Sequence, residues 1–198
     1  MNTTNEFDYY LLETDAGNYP HLEVEDGFEG SANSDVFSYD DEAPDGAVAH
    51  LKFRYSEKGF TMPDYLWCDC RHVFSKKIYD VLKDIAVKDF KFVPTIIRGK
   101  KGEEYAGYWS TNFYGDGLAF LDKDKSEFSS INSKGRWSGV EKMVLNEEEM
   151  AKVPLTERLV YTAKEWGAMT FYHKSIVDLI MSVNPTGVRF IPVNEWSG

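Results

Sequence analysis

The sequence predicts an α/β (α+β) fold: a mixed sheet built from two duplicated strand–helix–strand halves, with additional hairpins. The first observation is an ungapped repeat, in which residues 74–94 (FSKKIYDVLKDIAVKDFKFVP) align with residues 172–192 (YHKSIVDLIMSVNPTGVRFIP) at a constant offset of 98. The second is that each copy passes from a helical apolar period to an alternating one. We place the repeat at 73–94 and 171–192, and expect one scaffold because neither copy can bury its own apolar face.

The chain before the repeat predicts three strands and a long loop. Residues 7–14 (FDYYLLET) form an apolar and aromatic run that ends before turn residues, which predicts the first strand. Gly, Ser, Asn and Pro interrupt the stretch 29–46, which therefore indicates a loop. β-Branched and aromatic residues between turn signals predict two more strands, at 47–56 (AVAHLKFRYS) and 64–74 (DYLWCDCRHVF).

Each copy of the repeat contains a predicted helix whose apolar residues recur at i, i+3, i+4 and i+7, on one face. These residues are Ile78, Val81, Leu82 and Ile85 in the first copy, and Ile176, Leu179, Ile180 and Val183 in the second. Ser75 is a good N-cap for the first helix, whereas Tyr172 and His173 offer the second helix no cap of that quality. The segment 184–187 (NPTG) predicts a firm stop before a strand over 188–192.

The region between the two copies predicts a hairpin, a short helix and further strands. The hairpin covers 92–113 and turns at the Gly-Lys-Lys-Gly sequence 99–102. An acidic helix is expected within 145–150 (LNEEEM), and a proline then breaks the chain. Strands follow around 159–162 and at 169–173 (MTFYH).

Charge is distributed very unevenly along the chain. The formal net charge is −11, yet residues 1–51 hold 13 acidic side chains and no Lys or Arg, while residues 52–198 hold 20 acidic and 22 basic ones. Such a field repels nucleic acid and anionic membranes, and it speeds association with a basic partner. A solvated arm that only confers solubility is the alternative. Apolar residues interrupt the acidic stretch, so we expect a region 1–58 packed on or extending from a domain 59–198, as one structural unit.

Nothing in the sequence predicts secretion or membrane insertion. The first fifteen residues lack the basic and apolar regions of a secretory signal. No run of about 18 apolar residues exists that would span a bilayer. Two cysteines in 198 residues do not make a disulfide framework. The expected location is the cytoplasm.

The sequence WCDCRH (67–72) has the composition of a metal site. On a single strand, Cys68, Cys70 and His72 would point to one face, as zinc ligands require. A structural zinc site needs four ligands, and the other histidines are isolated in the sequence. We therefore expect no metal, and interpret these residues as a buried strand face.

The sequence LAFLDKDKS (118–126) is the best candidate for catalysis. An apolar strand that ends in Asp122, Asp124 and Ser126 resembles the nucleophile strand of haloacid-dehalogenase-like phosphatases, where one carboxylate attacks phosphorus and the second moves protons beside magnesium. Such enzymes also need a downstream lysine and a late acidic pair on further parallel strands. A strand end with solvated charge is the simpler interpretation. A metal-dependent phosphohydrolase using Asp122 and Asp124 remains the enzymatic alternative.

The order of the motifs resembles a known family. A helix beginning VFSKKIYDVL precedes the strand FKFVP and a hairpin with YWSTNF; then come LDKDKSEF, LNEEEM, ERLVY and a second helix–strand ending TGVRFIPV. This order is similar to that of the bacterial polymorphic-toxin immunity proteins, specifically immunity family eleven, formerly a domain of unknown function. The resemblance covers about residues 60 to 195, and GVRFIPV (187–193) is its most recognisable part.

The resemblance implies an immunity protein, or antitoxin, that binds and neutralises a cognate secreted bacterial toxin encoded by the adjacent gene. It implies no catalytic residue, cofactor or metal. A nuclease or other cationic toxin acting in the cytoplasm would have a basic active-site groove, which an acidic surface carrying aromatic residues would cover. The expected contact residues are Tyr39, Asp40, Asp41, Glu42 and Asp45. A non-enzymatic regulatory module whose partner is no toxin is a further alternative.

Overall fold

The computed structural model describes residues 5–25, 41–55, 59–68, 71–167 and 169–198. Within these residues the strands are β1 (Tyr9–Thr14), β2 (Leu22–Val24), β3 (Ala49–Phe53), β4 (Tyr65–Cys68), β5 (Arg71–Ser75), β6 (Phe90–Arg98), β7 (Glu104–Phe113), β8 (Glu127–Ile131), β9 (Trp137–Lys142), β10 (Val160–Thr162), β11 (Thr170–His173) and β12 (Val188–Pro192). The helices are α1 (Lys76–Leu82), α2 (Glu147–Met150) and α3 (Lys174–Met181), and short 3₁₀ turns occupy Leu155–Glu157 and Val193–Glu195. The structure is therefore mainly β with few helices, and the predicted α+β class is confirmed.

The described strands form three sheets. A four-stranded antiparallel sheet has the order β10-β11-β1-β12, and a six-stranded sheet has the order β2-β3-β6-β7-β5-β4. In the larger sheet β3 runs parallel to β6, while the other neighbours are antiparallel, so the predicted mixed sheet is confirmed. β8 and β9 form a separate hairpin.

The sequence repeat corresponds to a repeated four-stranded unit. α1 follows β5 and leads to β6, and α3 follows β11 and leads to β12. The strands joined by each helix are not neighbours, because β7 lies between β5 and β6, and β1 lies between β11 and β12. β4 and β10 complete the two units as hairpin partners of β5 and β11. The predicted strand–helix–strand halves are confirmed, and each requires a central strand from outside the repeat.

Both units have the same strand register. Phe74 pairs with Trp109 in the first unit, and Tyr172 pairs with Tyr10 in the second. Phe74 and Tyr172 are equivalent in the sequence repeat, so Trp109 and Tyr10 occupy equivalent positions on the central strands. The register of the β6–β7 pair likewise matches that of the β12–β1 pair. The register of the β4–β5 pair matches that of the β10–β11 pair. β1 is therefore the central strand of the second unit, in the position that β7 has in the first unit.

A buried tyrosine ties the central strand to the hairpin in each unit. The Tyr108 hydroxyl donates a hydrogen bond to the Pro63 carbonyl at 2.9 Å, and the Tyr9 hydroxyl donates one to the Arg158 carbonyl at 2.9 Å. Pro63 and Arg158 each precede their outer strand by two positions. The two bonds are thus equivalent, and the internal symmetry extends to side chains.

The two units share a hydrophobic core. Its buried members come from both copies of the repeat and from both central strands: Leu12, Tyr65, Phe74, Ile78, Leu82, Phe113, Val160, Tyr172, Ile176, Val177 and Ile180. Burial of a large apolar side chain of this kind contributes roughly 1.5–3 kcal/mol. The apolar faces of α1 and α3 are therefore covered jointly, as expected for halves that cannot bury their own faces.

The segment 64–74 is a hairpin and not the single predicted strand. β4 and β5 pair antiparallel, with Trp67 opposite His72. Cys68 packs in a cluster with Leu66, whereas the His72 ring lies against Tyr172 of the other unit. The expected common face for cysteine and histidine is therefore wrong, because the chain reverses between the two residues.

The N-cap residue predicted for α1 is confirmed, whereas the side-chain capping bond is found at α3, where no good cap was predicted. Ser75 is the N-cap of α1, but its side chain makes no capping bond and donates instead to Asp64 at 2.7 Å. His173 caps α3, because its Nδ1 accepts a hydrogen bond from the Ser175 amide at 3.2 Å. The cap on α3 was missed because histidine is not among the favoured N-cap residues. A neutral histidine nitrogen can nevertheless accept this hydrogen bond.

Candidate functional site

Three of the predicted contact residues lie in the loop that precedes β3. Tyr39 and Asp40 lie outside the described residues, so the structure places Asp41, Glu42 and Asp45. The side chains of Glu42 and Asp45 are exposed, at 55% and 102%. Ala43 between them is only 1% exposed and packs with Val93 and Ala49. The loop, defined here as the acidic loop 41–46, is thus anchored at its centre with its carboxylates outward.

Polar contacts hold the acidic loop against β6 and β7. The Ala43 amide donates to the Asn112 side-chain oxygen at 2.9 Å. The Lys91 ammonium donates to the Ala43 carbonyl at 2.8 Å and to Asp45 at 2.7 Å, and it lies 3.5 Å from Glu42. The hydrogen bond from Lys91 lowers the pKa of Asp45, so this carboxylate is ionised at neutral pH. The single charge of Lys91 thus faces two carboxylates, Glu42 and Asp45, and the loop keeps a net negative charge.

The pKa of Tyr114, beside the acidic loop, is affected by the neighbouring carboxylates. Burial raises the pKa of the Tyr114 hydroxyl, and the carboxylates of Glu42 and Asp89 raise it further. Lys91 acts in the opposite direction. The carboxylates of Glu42 and Asp89 therefore both lie close enough to Tyr114 to act on its hydroxyl.

A second candidate region is a cleft of about 400 Å³ between the end of β1 and β4. Its lining includes the carboxylates of Glu13 and Asp15 and the rings of Tyr19 and Trp67. These residues come from separate parts of the sequence. They meet because β1 pairs with β11 and β12 of the second unit, which places its end beside β4. Sequence reasoning missed this cleft, since no local motif connects its walls.

Another cleft, of about 520 Å³, lies between β1, the end of β9, α2 and the end of β12. Asp8, Glu147, Glu195 and Lys142 are among its lining residues. None of these groups has a hydrogen-bonded arrangement that resembles a nucleophile with its base. The cleft offers a polar surface lined by side chains of both charges.

In the candidate phosphatase motif, the Asp122 carboxylate binds the backbone of the turn that follows it. Residues 118–121 form isolated bridges and no strand, so the predicted strand is wrong. One Asp122 oxygen accepts bonds from the amides of Asp124 and Lys125 at 3.0 and 3.2 Å, and the other lies 2.9 Å from the Lys125 ammonium. The hydrogen bond from Lys125 lowers the pKa of Asp122. Both oxygens are occupied by the carboxylate's own loop, an arrangement that serves the turn.

Of the candidate metal ligands, the two that the structure describes, Cys68 and His72, lie on opposite faces of the hairpin. Cys68 is buried, and Cys70 lies outside the described residues. His72 is enclosed by aromatic rings on the opposite side of the hairpin. Within the described part of the chain, no group of three or more His, Cys, Asp or Glu side chains has an arrangement that could hold a metal ion.

The described helices are all too short or too polar to cross a lipid bilayer. Comparison with curated proteins found no match. A family model, described as an immunity protein family, matches residues 10–195 of the 198-residue chain. The match begins at residue 10 and not near residue 60, so the resemblance expected from the motifs extends to β1 and β3 as well. The chain belongs to the immunity protein family Imm11.

Proposed function

We propose that this immunity protein neutralises a cognate toxin domain by binding it directly. The family match over residues 10–195 is the observation that carries the proposal. Immunity proteins of such families are generally not enzymes, and no catalytic group is needed to inhibit a toxin by covering it. The partner that we propose is encoded by the adjacent gene, is delivered by a secretion system such as type VI secretion, and acts in the cytoplasm.

We propose further that the acidic loop 41–46 contacts a basic surface on the toxin. The loop backbone is anchored at Ala43 by Lys91 and Asn112, so the loop is held against the sheet before any partner arrives. Preorganisation lowers the entropy cost of binding. Charge complementarity would give rapid association, and the toxin's active-site groove would be covered sterically.

Co-expression with the neighbouring toxin domain tests this function. We expect rescue of growth and a complex that survives purification, because a neutralising protein must remain bound. In the triple variant Asp41→Asn, Glu42→Gln and Asp45→Asn we expect slower association, by about tenfold at low salt, since electrostatic steering is lost.

The matched control removes three exposed charges elsewhere, in Glu147→Gln, Glu148→Gln and Glu149→Gln at α2. An equal loss of association rate in both triple variants would show that only net charge matters and would refute a specific role for the loop. Absence of both growth rescue and a complex with the unaltered protein would refute toxin neutralisation itself.

A further inference from the structure

Two neighbouring side chains of the six-stranded sheet bind the backbone of the acidic loop 41–46. Lys91 of β6 and Asn112 of β7 are partners across the two strands. The Asn112 side-chain oxygen accepts from the Ala43 amide at 2.9 Å, and the Lys91 ammonium donates to the Ala43 carbonyl at 2.8 Å. The pair therefore satisfies both backbone polar groups of one loop residue, which fixes the loop at that residue.

The residue that the pair holds is also the most tightly packed part of the loop. Ala43 is buried and lies in a small cluster with Ala49 and Val93. A buried peptide group that loses a hydrogen bond is left unpaired, which destabilises the conformation that buries it. The position of the loop thus depends on the two side chains beneath it.

The second unit has a different pair at the equivalent positions. The offset of 98 relates Lys91 to Arg189. The strand registers relate Asn112 of β7 to Glu13 of β1. Arg189 and Glu13 lie 3.6 Å apart with opposite charges, so each offsets the charge of the other. Asn112 has no charge, so the ammonium of Lys91 is left to bind the loop.

Lys91 has two effects on the acidic loop, and they oppose each other when the partner is basic. Its ammonium lies 2.7 Å from Asp45 and 3.5 Å from Glu42, so it weakens the negative field that attracts such a partner. The same ammonium holds the Ala43 carbonyl, which limits the positions that the loop can take. The first effect slows association, whereas the second lowers the entropy cost of ordering the loop in a complex.

Exposure separates the carboxylates of the loop from the lysine that holds it. The side chains of Glu42 and Asp45 are largely exposed to solvent, so both carboxylates are hydrated in the absence of Lys91. The Lys91 side chain is only 26% exposed. A partner that approaches the loop therefore meets the carboxylates, with Lys91 beneath them.

We propose that Lys91 is a positioning residue for toxin binding, which holds the acidic loop in its binding conformation and so lengthens the lifetime of the complex. Its charge at the same time slows the encounter with a basic toxin. The toxin contacts the outward carboxylates of the loop, and Lys91 stays beneath the loop. The proposal rests on the proposed function, because it concerns the same loop and the same partner.

The test measures the association and dissociation rate constants of the purified protein with the toxin domain encoded beside it. Lys91→Met keeps most of the side-chain stem and removes the ammonium. We expect dissociation to become about tenfold faster, because loss of preorganisation acts mainly on the dissociation rate. We expect association at low salt to become about twofold faster, because the loop is then more negative.

Lys52→Met is the matched control. Lys52 is a partly exposed cation of β3 that pairs with Glu23 at 3.6 Å, so its removal changes the net charge equally and leaves the acidic loop intact. We expect the dissociation rate of this variant to stay within about twofold of the original.

A second measurement follows the loop without the toxin. The Ala43 amide is bonded to Asn112 while the loop lies on the sheet, so its hydrogen exchange in the free protein reports the order of the loop. We expect this amide to exchange about tenfold faster in Lys91→Met, and at its original rate in Lys52→Met.

The outcomes separate this proposal from the proposed function. Unchanged dissociation of the toxin from Lys91→Met overturns the proposal and leaves toxin binding intact, because Lys91 then acts through its charge alone. Faster dissociation without faster exchange of the Ala43 amide also overturns it, since Lys91 would then contact the toxin itself. Failure of the unaltered protein to bind the toxin removes both proposals.

Discussion

His72 is a buried histidine held neutral inside an aromatic enclosure. It is 2% exposed and contacts the rings of Tyr65, Trp67, Phe74 and Tyr172. Burial, together with the smaller effect of the positive charge of Arg71, lowers its pKa to about 3. In the unfolded chain a histidine binds a proton near pH 6.5. Acid therefore favours the unfolded state over the whole interval between these two values.

We expect the free energy of unfolding to fall by about 2 kcal/mol between pH 7 and pH 5 because of His72 alone. Burial also lowers the pKa of His173, which adds to the loss. The pKa of Asp64 is lowered from 3.8, so its contribution is lost only below this window. Urea unfolding at both pH values measures the difference.

In His72→Phe the pH 7 to pH 5 difference should shrink by about 2 kcal/mol, because the titrating group is gone while an aromatic ring remains. The variant itself loses the hydrogen bond that joins His72 to the Tyr65 hydroxyl, so its stability at pH 7 also falls. His21→Gln, at an exposed histidine, is the control. An unchanged difference in His72→Phe would contradict a neutral buried histidine.

A buried arginine, Arg158, binds part of the acidic N-terminal stretch. Arg158 is 1% exposed, and its guanidinium donates to the carbonyl and carboxylate of Glu6, to the Tyr9 hydroxyl and to the Val153 carbonyl. Phe7 lies against the same group at 5.3 Å. The sequence showed an acidic start interrupted by aromatic residues, and predicted that part of it packs. It could not indicate Arg158, because that partner lies far along the chain.

At the scale of elements, the two helix–strand junctions use a left-handed residue at the same repeat position. Asp89 has φ of 50° and Gly187 has φ of 82°, and the two are related by the offset of 98. The Asp89 carbonyl accepts from the Tyr114 amide, and the Gly187 carbonyl accepts from the Asp15 amide. Each junction therefore joins the end of a central strand to the start of β6 or β12.

We expect Gly187→Ala to destabilise the protein by about 2–4 kcal/mol. A left-handed alanine costs about 1–2 kcal/mol in any setting. At Gly187 the added Cβ would also lie 2.7 Å from the Tyr65 carbonyl oxygen and 2.8 Å from Pro63, so the junction must shift away from β4. Chemical denaturation measures the change.

Gly102→Ala provides the matched control, because Gly102 has φ of 87° and its Cβ would meet nothing within 4 Å. We expect this variant to lose about 1 kcal/mol, from backbone strain alone. Equal losses in both variants would show that the contact with β4 is unimportant.

The repeated elements were predictable from sequence, whereas the strands that join them were not. A local pattern of 21 residues, present twice, predicted both helices and the strands after them. The central strands β1 and β7 share only Tyr9 with Tyr108, and an aromatic at Tyr10 and Trp109, which is too little to align. Their equivalence is carried by non-local backbone pairing, so it became visible only in the register. The cleft beside β4 depends on that pairing and was missed for the same reason.

At the scale of the whole molecule, the shared core predicts that the two units unfold together. Ile78 of α1 and Ile176 of α3 are equivalent in the repeat, are 0% and 3% exposed, and belong to the same cluster. The second unit also draws its central strand, β1, from the far end of the chain. Each sheet also has a buried cluster of its own, but the apolar faces of α1 and α3 are buried in the shared cluster, so cooperativity is expected to extend across both units.

We expect Ile78→Ala and Ile176→Ala each to lower the free energy of unfolding by about 2–5 kcal/mol, through lost burial and the cavity left behind. Each variant should shift one transition that far-ultraviolet circular dichroism and tryptophan fluorescence report at the same denaturant concentration. Val87→Ala, at a partly buried position packed against the same cluster, should cost less. Two separated transitions, with each variant moving only its own, would mean that the duplicated units fold independently. Coincident transitions would mean that the immunity protein presents its acidic loop on a single cooperative body.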